Sequence, residues 1–311
     1  MQPAAQTNID RLIQVYRGGE ISRREFFQKL AFVTGSILLA HEIMLSEGFA
    51  YEWEAYNWPE QEGQAPPTPK ESIAAGEKRL PATVQAEWVK YKSGDVEMGG
   101  YLAKPKTGGP FAGIVVIHEN RGLTEFVLDI AQRWASEGLL AVAPDCLSRV
   151  GGTQKFASMN DAGAGIGQLQ RDDVLADLKA TLAYVKTRRE VRKDKVGVTG
   201  FCWGGGNTFR LTVEAPDLAF AVPFYGPPPA VEQLERINCP VFAVFAEQDQ
   251  RVNANVDAAE AKMKELGKNF TKRMYPGTQH AFVNFTGPRY NAEQAKAAWA
   301  DVTAFVKKTI G

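Results

Sequence analysis

The chain has 311 residues, 44% of them hydrophobic, with 36 basic and 36 acidic side chains and a formal net charge of zero. That length accommodates one domain of about 220 residues plus an extension, and the neutral balance carries no electrostatic signature for nucleic acid or an anionic membrane surface. The three cysteines, Cys146, Cys202 and Cys239, are an odd number without a CxxC spacing, which indicates neither a disulfide framework nor a zinc site; no metal or other cofactor is expected.

Residues 1–50 read as an N-terminal extension. Ser22-Arg23-Arg24-Glu25-Phe26-Phe27 resembles a twin-arginine export signal, and the uncharged run Leu30 to Ala40 that follows has signal-peptide length and is too short to span a bilayer. Gly48-Phe49-Ala50 places small residues where a signal peptidase reads, so one expectation is a periplasmic or secreted protein. His41 and Glu42 interrupt the apolar stretch, however, and about twenty residues precede the arginines. The competing expectation is a cytoplasmic protein whose segments Asn8 to Tyr16 and Arg24 to Ala40 form an amphipathic helical hairpin packed on the main domain. Residues 51–84 read as a linker, in which Trp53, Tyr56 and Trp58 precede the Pro-rich polar stretch Gln61 to Pro69.

A regular pattern begins at residue 85 and runs to 311. Trp88 to Asp95 and Val96 to Ala103 predict an antiparallel hairpin at a sheet edge, with the turn at Ser93-Gly94-Asp95. Gly113 to His118 predicts a strand, Thr124 to Glu137 a helix and Leu139 to Ala143 a strand. Asp172 to Arg188 is helical by its stripe of Val174, Leu175, Leu178, Leu182 and Val185. Val196 to Gly200 predicts a strand and Trp203 to Glu214 a helix. Strands at Phe220–Tyr225, Val241–Ala246 and Lys272–Tyr275 follow, with helices at Asn255–Leu266 and Ala292–Lys308. This alternation predicts an α/β fold, a mostly parallel sheet with helices on both faces. Ligands bind such a sheet beyond the C-terminal ends of its strands.

The segment Gly200-Phe201-Cys202-Trp203-Gly204-Gly205 has the form of a nucleophile elbow with cysteine in the position usually held by serine. The thiol is expected at a strand's C-terminal end and a helix's N-terminus, where the helix dipole favours thiolate. Downstream, in the order nucleophile, acid, histidine, come Asp249 after Val241 to Ala246 and His280 after Lys272 to Tyr275. Cys202, Asp249 and His280 are therefore the expected triad. The N–H of Trp203 is a candidate oxyanion donor.

The elbow, the upstream Ile117-His118-Glu119-Asn120-Arg121-Gly122, the strand end Ala143-Pro144-Asp145 and the segment Gly277-Thr278-Gln279-His280-Ala281-Phe282 together resemble the dienelactone hydrolase family (carboxymethylenebutenolidases) over residues 85 to 310. The resemblance implies an α/β-hydrolase fold and a Glu119 that hydrogen-bonds the resting thiol and takes its proton when substrate arrives. It implies Asn120 as the second oxyanion donor. It also implies Arg149 as one of two substrate-carboxylate clamps, the other position being held here by Asn284, with Arg121 or Arg289 as candidate replacements.

The expected reaction is hydrolysis of an activated ester or enol lactone through a thioester, because a thiolate leaves readily from a tetrahedral intermediate and amides collapse backward. The expected partner is a small-molecule ester or lactone, with no nucleic acid and no stable membrane span, in a monomer or small homo-oligomer. Two other classes stay open: a catalytically silent α/β-hydrolase that binds a small molecule, and a redox role for Cys202 with Cys146 as resolving thiol.

Overall fold

The computed structural model describes residues 3–17, 26, 29, 33 and 66–311, and the chain divides into two units, Met1–Glu52 and Trp53–Gly311. In the first unit, helix α1 (Pro3–Arg17) buries Ile9 and Ile13, four residues apart on one face. The helix expected at Asn8–Tyr16 lies inside α1. Ser22-Arg23-Arg24 and Gly48-Phe49-Ala50 lie outside the described residues, and of the run Arg24 to Ala40 only Phe26, Lys29 and Val33 are described, all helical.

In the second unit the stretch expected as linker holds a helix, α2 (Pro69–Lys78). Thr68 and Glu71 form a reciprocal capping box, with Thr68 N donating to Glu71 Oε2 at 2.8 Å and Glu71 N to Thr68 Oγ1 at 3.3 Å. Ile73 is buried. The correction has a local cause: Pro69 sits at the first helical position, where its missing N–H costs nothing, so the proline that reads as linker starts a helix.

The sheet has eight strands in the order β1-β2-β4-β3-β5-β6-β7-β8: β1 (Val84–Ser93), β2 (Val96–Pro105), β3 (Phe111–Ile117), β4 (Leu139–Pro144), β5 (Val191–Phe201), β6 (Ala221–Phe224), β7 (Val241–Ala246) and β8 (Phe270–Tyr275). β1, β2 and β4 pair antiparallel, and every later pairing is parallel. The hairpin register Ser93↔Val96 leaves a two-residue loop, and Gly94 takes φ 57° as its first residue. β5 starts five residues earlier than the apolar run predicts, because Val191 pairs with Phe111 across a register shift and carries the polar residues 192–195 into the strand.

Helices cover both faces. On one side lie α5 (Arg171–Thr187), α6 (Trp203–Glu214) and α8 (Val256–Glu265), contributing Leu178, Leu182, Phe209 and Met263 to the core. On the other lie α2, α3 (Glu125–Ser136) and α9 (Ala292–Ile310), contributing Ile73, Phe126, Trp134 and Val302. A further helix, α4 (Met159–Gln168), forms where no element was expected, since its five small residues Ala162, Gly163, Ala164, Gly165 and Gly167 hide the periodicity. A single turn, α7 (Gln250–Asn253), follows β7. Among the described residues no helix is long and apolar enough to cross a membrane.

After β3 the chain moves outward to β4, then returns to place β5 on the opposite side of β3, so the topological switch lies between β3 and β5. The register Ile117↔Gly200 sets Glu119 and Cys202 each two residues beyond a paired position. Phe201↔Phe224 likewise brings Tyr225 beside Cys202.

Candidate active site

Cys202 caps α6 with φ 60° and ψ −116°, a conformation that non-glycine residues rarely hold. The elbow's glycines explain how the turn closes. A Cβ on Gly200 would lie 2.3 Å from Gly204 O, and one on Gly204 would lie 2.4 Å from Ile117 O, so both positions admit only hydrogen. The approach of Gly204 to Ile117 and His118 also draws the loop after β3 against the start of α6. Tyr225 (φ 36°) and Ala281 (φ 66°) are the other positive-φ non-glycine residues among those described, so the strained backbone gathers at Cys202, its neighbouring strand end and the histidine loop.

His280 and Asp249 are both buried, and His280 Nδ1 hydrogen-bonds Asp249 Oδ2. Asp249 also caps α7, its Oδ1 accepting from Val252 N at 3.4 Å. An ionised Asp249 only accepts, so Nδ1 carries the proton and Nε2 is the basic nitrogen. Burial lowers the His280 pKa, outweighing Asp249, and favours neutral imidazole. The Tyr225 ring stands edge-on to His280 at 4.8 Å.

Glu119 is held at both oxygens. Asn284 Nδ2 donates to Oε2 at 2.6 Å and the Tyr225 hydroxyl donates to Oε1 at 3.3 Å. Burial raises its pKa to about 7 despite those two donors and the Arg121 charge. The Cys202 thiol is pushed well above its ordinary value, first by burial and then by the Glu119 charge, although the Trp203 N–H pulls the other way. Burial beside a carboxylate therefore opposes the helix end, which favours thiolate.

The oxyanion candidates lie at the same place. Trp203 is the first residue of α6, where backbone N–H groups have no partner within the helix, and Asn120 opens the turn after Glu119. His118 stacks on Trp203 at 5.2 Å and accepts from Cys146 N at 3.2 Å through Nε2, which leaves Nδ1 to donate to Glu119 O at 2.5 Å. His118 is thereby a neutral brace for the loop that carries Glu119. Its strand-end position was legible in the sequence, but its bracing role was not.

The structure sorts the candidate clamps differently. Arg149 makes a bidentate pair with buried Asp177, Nε to Oδ2 at 2.7 Å and Nη2 to Oδ1 at 2.9 Å, so that fork is occupied inside the protein. Asn284 is committed to Glu119. Buried Arg121 donates to Asn160 Oδ1 at 2.8 Å. The cations whose fields reach His280 are Arg251, two residues after Asp249, and Arg289. Arg251 was not expected, and neither was Tyr225, although Tyr225 ends a predicted strand. Arg149→Ala is expected to lower stability by about 3 kcal/mol by leaving Asp177 buried and unpaired, and to leave the rate ratio for matched anionic and neutral esters unchanged. Denaturant unfolding and paired kcat/KM values check the two halves.

The family model of the dienelactone hydrolase family matches residues 98–310, which hold most of β2, every element from β3 to α9 and all the side chains just described. The chain belongs to the dienelactone hydrolase family. It is an ester or lactone hydrolase by that membership. "Protein usf" of Aquifex pyrophilus is 36% identical over 234 residues, covering 71% of this chain and 98% of that protein. An Escherichia coli K12 protein named "Putative carboxymethylenebutenolidase" is 28% identical over 254 residues, covering 78% of this chain and 89% of that one. The crystal structure of a "Putative Dienelactone Hydrolase" from Klebsiella pneumoniae superposes with a TM-score of 0.67 at 26% identity, over 72% of this chain and 99% of that one. These matches agree with the α/β-hydrolase fold expected for this family member.

Proposed function

We propose that this dienelactone hydrolase family member cleaves activated esters or enol lactones with Cys202 as nucleophile, through a thioester. The observation that carries the proposal is the gathering at one strained elbow of Cys202, of Tyr225 beside it holding Glu119 together with Asn284, and of His280 oriented by Asp249. Because burial and Glu119 disfavour a standing thiolate, the thiol gives up its proton only as it attacks. Glu119, as carboxylate, is the acceptor in reach of the β3–β5 crevice, and Asn284 and Tyr225 hold it in place to receive the proton. Glu119 then passes that proton to the leaving alkoxide, and His280, kept in the Nδ1–H tautomer by Asp249, takes a proton at Nε2 from the water that cleaves the thioester and gives it to the departing Cys202 thiolate. The N–H groups of Trp203 and Asn120 meet the developing oxyanion.

Neither position that the family uses as a clamp is available, Arg149 being on Asp177 and Asn284 on Glu119. Neutral aryl esters and lactones are therefore the favoured substrates. A screen over neutral and anionic aryl esters, enol lactones and dienelactones, with Cys202→Ala as control, tests this. A strong anionic preference contradicts the assignment.

Glu119→Gln is expected to lower the acylation rate by about 10²-fold and to lack the pH-rate limb near 7 expected of the wild type. Stability moves the other way. The folded pKa lies above that of an unfolded carboxyl, so the folded chain binds the proton more tightly, and that contribution is complete at acid pH and lost as pH rises through about 7. Relative to wild type, the variant gains about 1–3 kcal/mol between pH 5 and pH 8. Unfolding midpoints of both proteins across that range check the sign.

Export through a twin-arginine route is the proposal for localisation, supported by Ser22-Arg23-Arg24 before the weakly apolar run to Ala40. Replacing both arginines by lysine is expected to trap the protein in the cytoplasm. Full-length native protein found there on fractionation supports the helical-hairpin reading instead.

A further inference from the structure

A cavity of about 130 Å³ lies between α3, the loop after His280 and the start of α9. None of Cys202, Glu119, Asp249 or His280 lines it. Its walls include Phe126, Phe201, Phe224, Phe285 and Trp299. Phe201 and Phe224 stack at 4.5 Å, and Phe126 stands edge-on to Phe201 at 5.1 Å and to Phe285 at 6.1 Å, so the enclosed space meets both ring faces and ring edges. An apolar cavity of about 150 Å³ holds benzene, so this partly open one of similar size, with aromatic rings inside and charged groups at its rim, is matched to a single aromatic ring whose polar substituent projects outward.

The charge at the cavity is positive. Lys296 is exposed beside it and makes no ion pair among the described residues, whereas Arg133 and Asp129 neutralise each other at 2.6 Å. A ring-sized apolar space with a lone ammonium group at its rim is matched to an aromatic carboxylate.

The loop links this cavity to Glu119. Val283 and Phe285 line the cavity, while Asn284 between them points the other way and donates to Glu119 Oε2. Asn284 Oδ1 is fixed by Thr286 N at 3.0 Å and Thr286 Oγ1 at 2.7 Å, so the segment moves as one piece. We propose that the cavity is a second binding site, for a small aromatic carboxylate of benzoate's size, and that its occupancy is transmitted through Asn284 to Glu119. The binding claim is independent of the catalytic reading, and the transmission rests on it.

Benzoate is the probe, titrated calorimetrically into the full chain, untreated and after Cys202 has been alkylated with iodoacetamide. Binding is expected to survive alkylation and to fall at least about tenfold in Ala295→Phe, which fills the cavity from α9. Lys296→Glu, on the surface, is expected to weaken benzoate about fivefold and to leave toluene binding unchanged. It carries the test should the filled cavity fail to fold. Benzoate is also expected to shift the pH midpoint of neutral-ester hydrolysis in the wild type and not in Ala295→Phe. Absence of saturable binding, or binding that alkylation abolishes, overturns the site, as does binding unchanged in both variants. Binding without a shift in the midpoint overturns the transmission alone. Binding by a chain that hydrolyses no ester overturns the catalytic reading and leaves the site standing.

Discussion

Cys202→Ala is expected to reduce kcat/KM for a neutral activated aryl ester by about 10⁴-fold or more, with the oxyanion donors alone sustaining what remains. The fold is expected to survive. Alanine keeps the Cβ, so the strain at φ 60° is the same in both proteins, and the glycines that close the elbow are untouched. Only a small buried sulfur is lost, and the thermal midpoint is expected to move by a few degrees at most, about 1 kcal/mol. A loss of activity accompanied by collapse of the unfolding transition points to a packing role for the thiol. A variant that retains more than about a tenth of wild-type activity removes Cys202 from the chemistry.

Asp249→Asn has the second largest expected effect, a fall in kcat of about 10⁴-fold with KM changed little. The aspartate does two jobs that the substitution separates. Its Oδ1 accepts from Val252 N to start α7, a role asparagine fills equally well, so folding is preserved. Its Oδ2 faces His280 Nδ1, and there the loss of charge removes both the preference for the Nδ1–H tautomer and the support for an imidazolium. Single-turnover kinetics beside unfolding midpoints distinguish the roles. Equal losses in both identify a structural residue only.

The strands, the hairpin at the sheet edge and the position of the candidate residues after strand ends were readable because the strands are short, apolar and separated by amphipathic helices such as Arg171–Thr187, whose buried Val174, Leu178, Leu182 and Val185 form one stripe. The elbow was legible for a different reason: Gly200 and Gly204 are required by backbone approach, and that requirement is written as spacing. What stayed hidden depends on contacts distant in sequence. The family resemblance implies Arg149 as a clamp, but nothing local in the sequence reveals that Asp177, 28 residues on, takes its guanidinium. Asn284 likewise reads as a clamp position that has lost its cation, and only its contact with Glu119, 165 residues away, shows the use it is put to. The pull of the helix end on Cys202 is visible in a sequence, and the opposing burial beside a carboxylate is not. Helices α2 and α4 were missed where proline and small residues masked the apolar pattern.

The account turns on a thioester at Cys202, and trapping it is the most direct measurement. The protein is mixed with a slowly deacylating aryl ester, quenched in acid within the burst and weighed intact, then digested and mapped. The account predicts one acyl group per chain, on the peptide containing Cys202 and released by neutral hydroxylamine. An acyl group on any other residue, or a full burst of leaving group with no adduct on the protein, contradicts it.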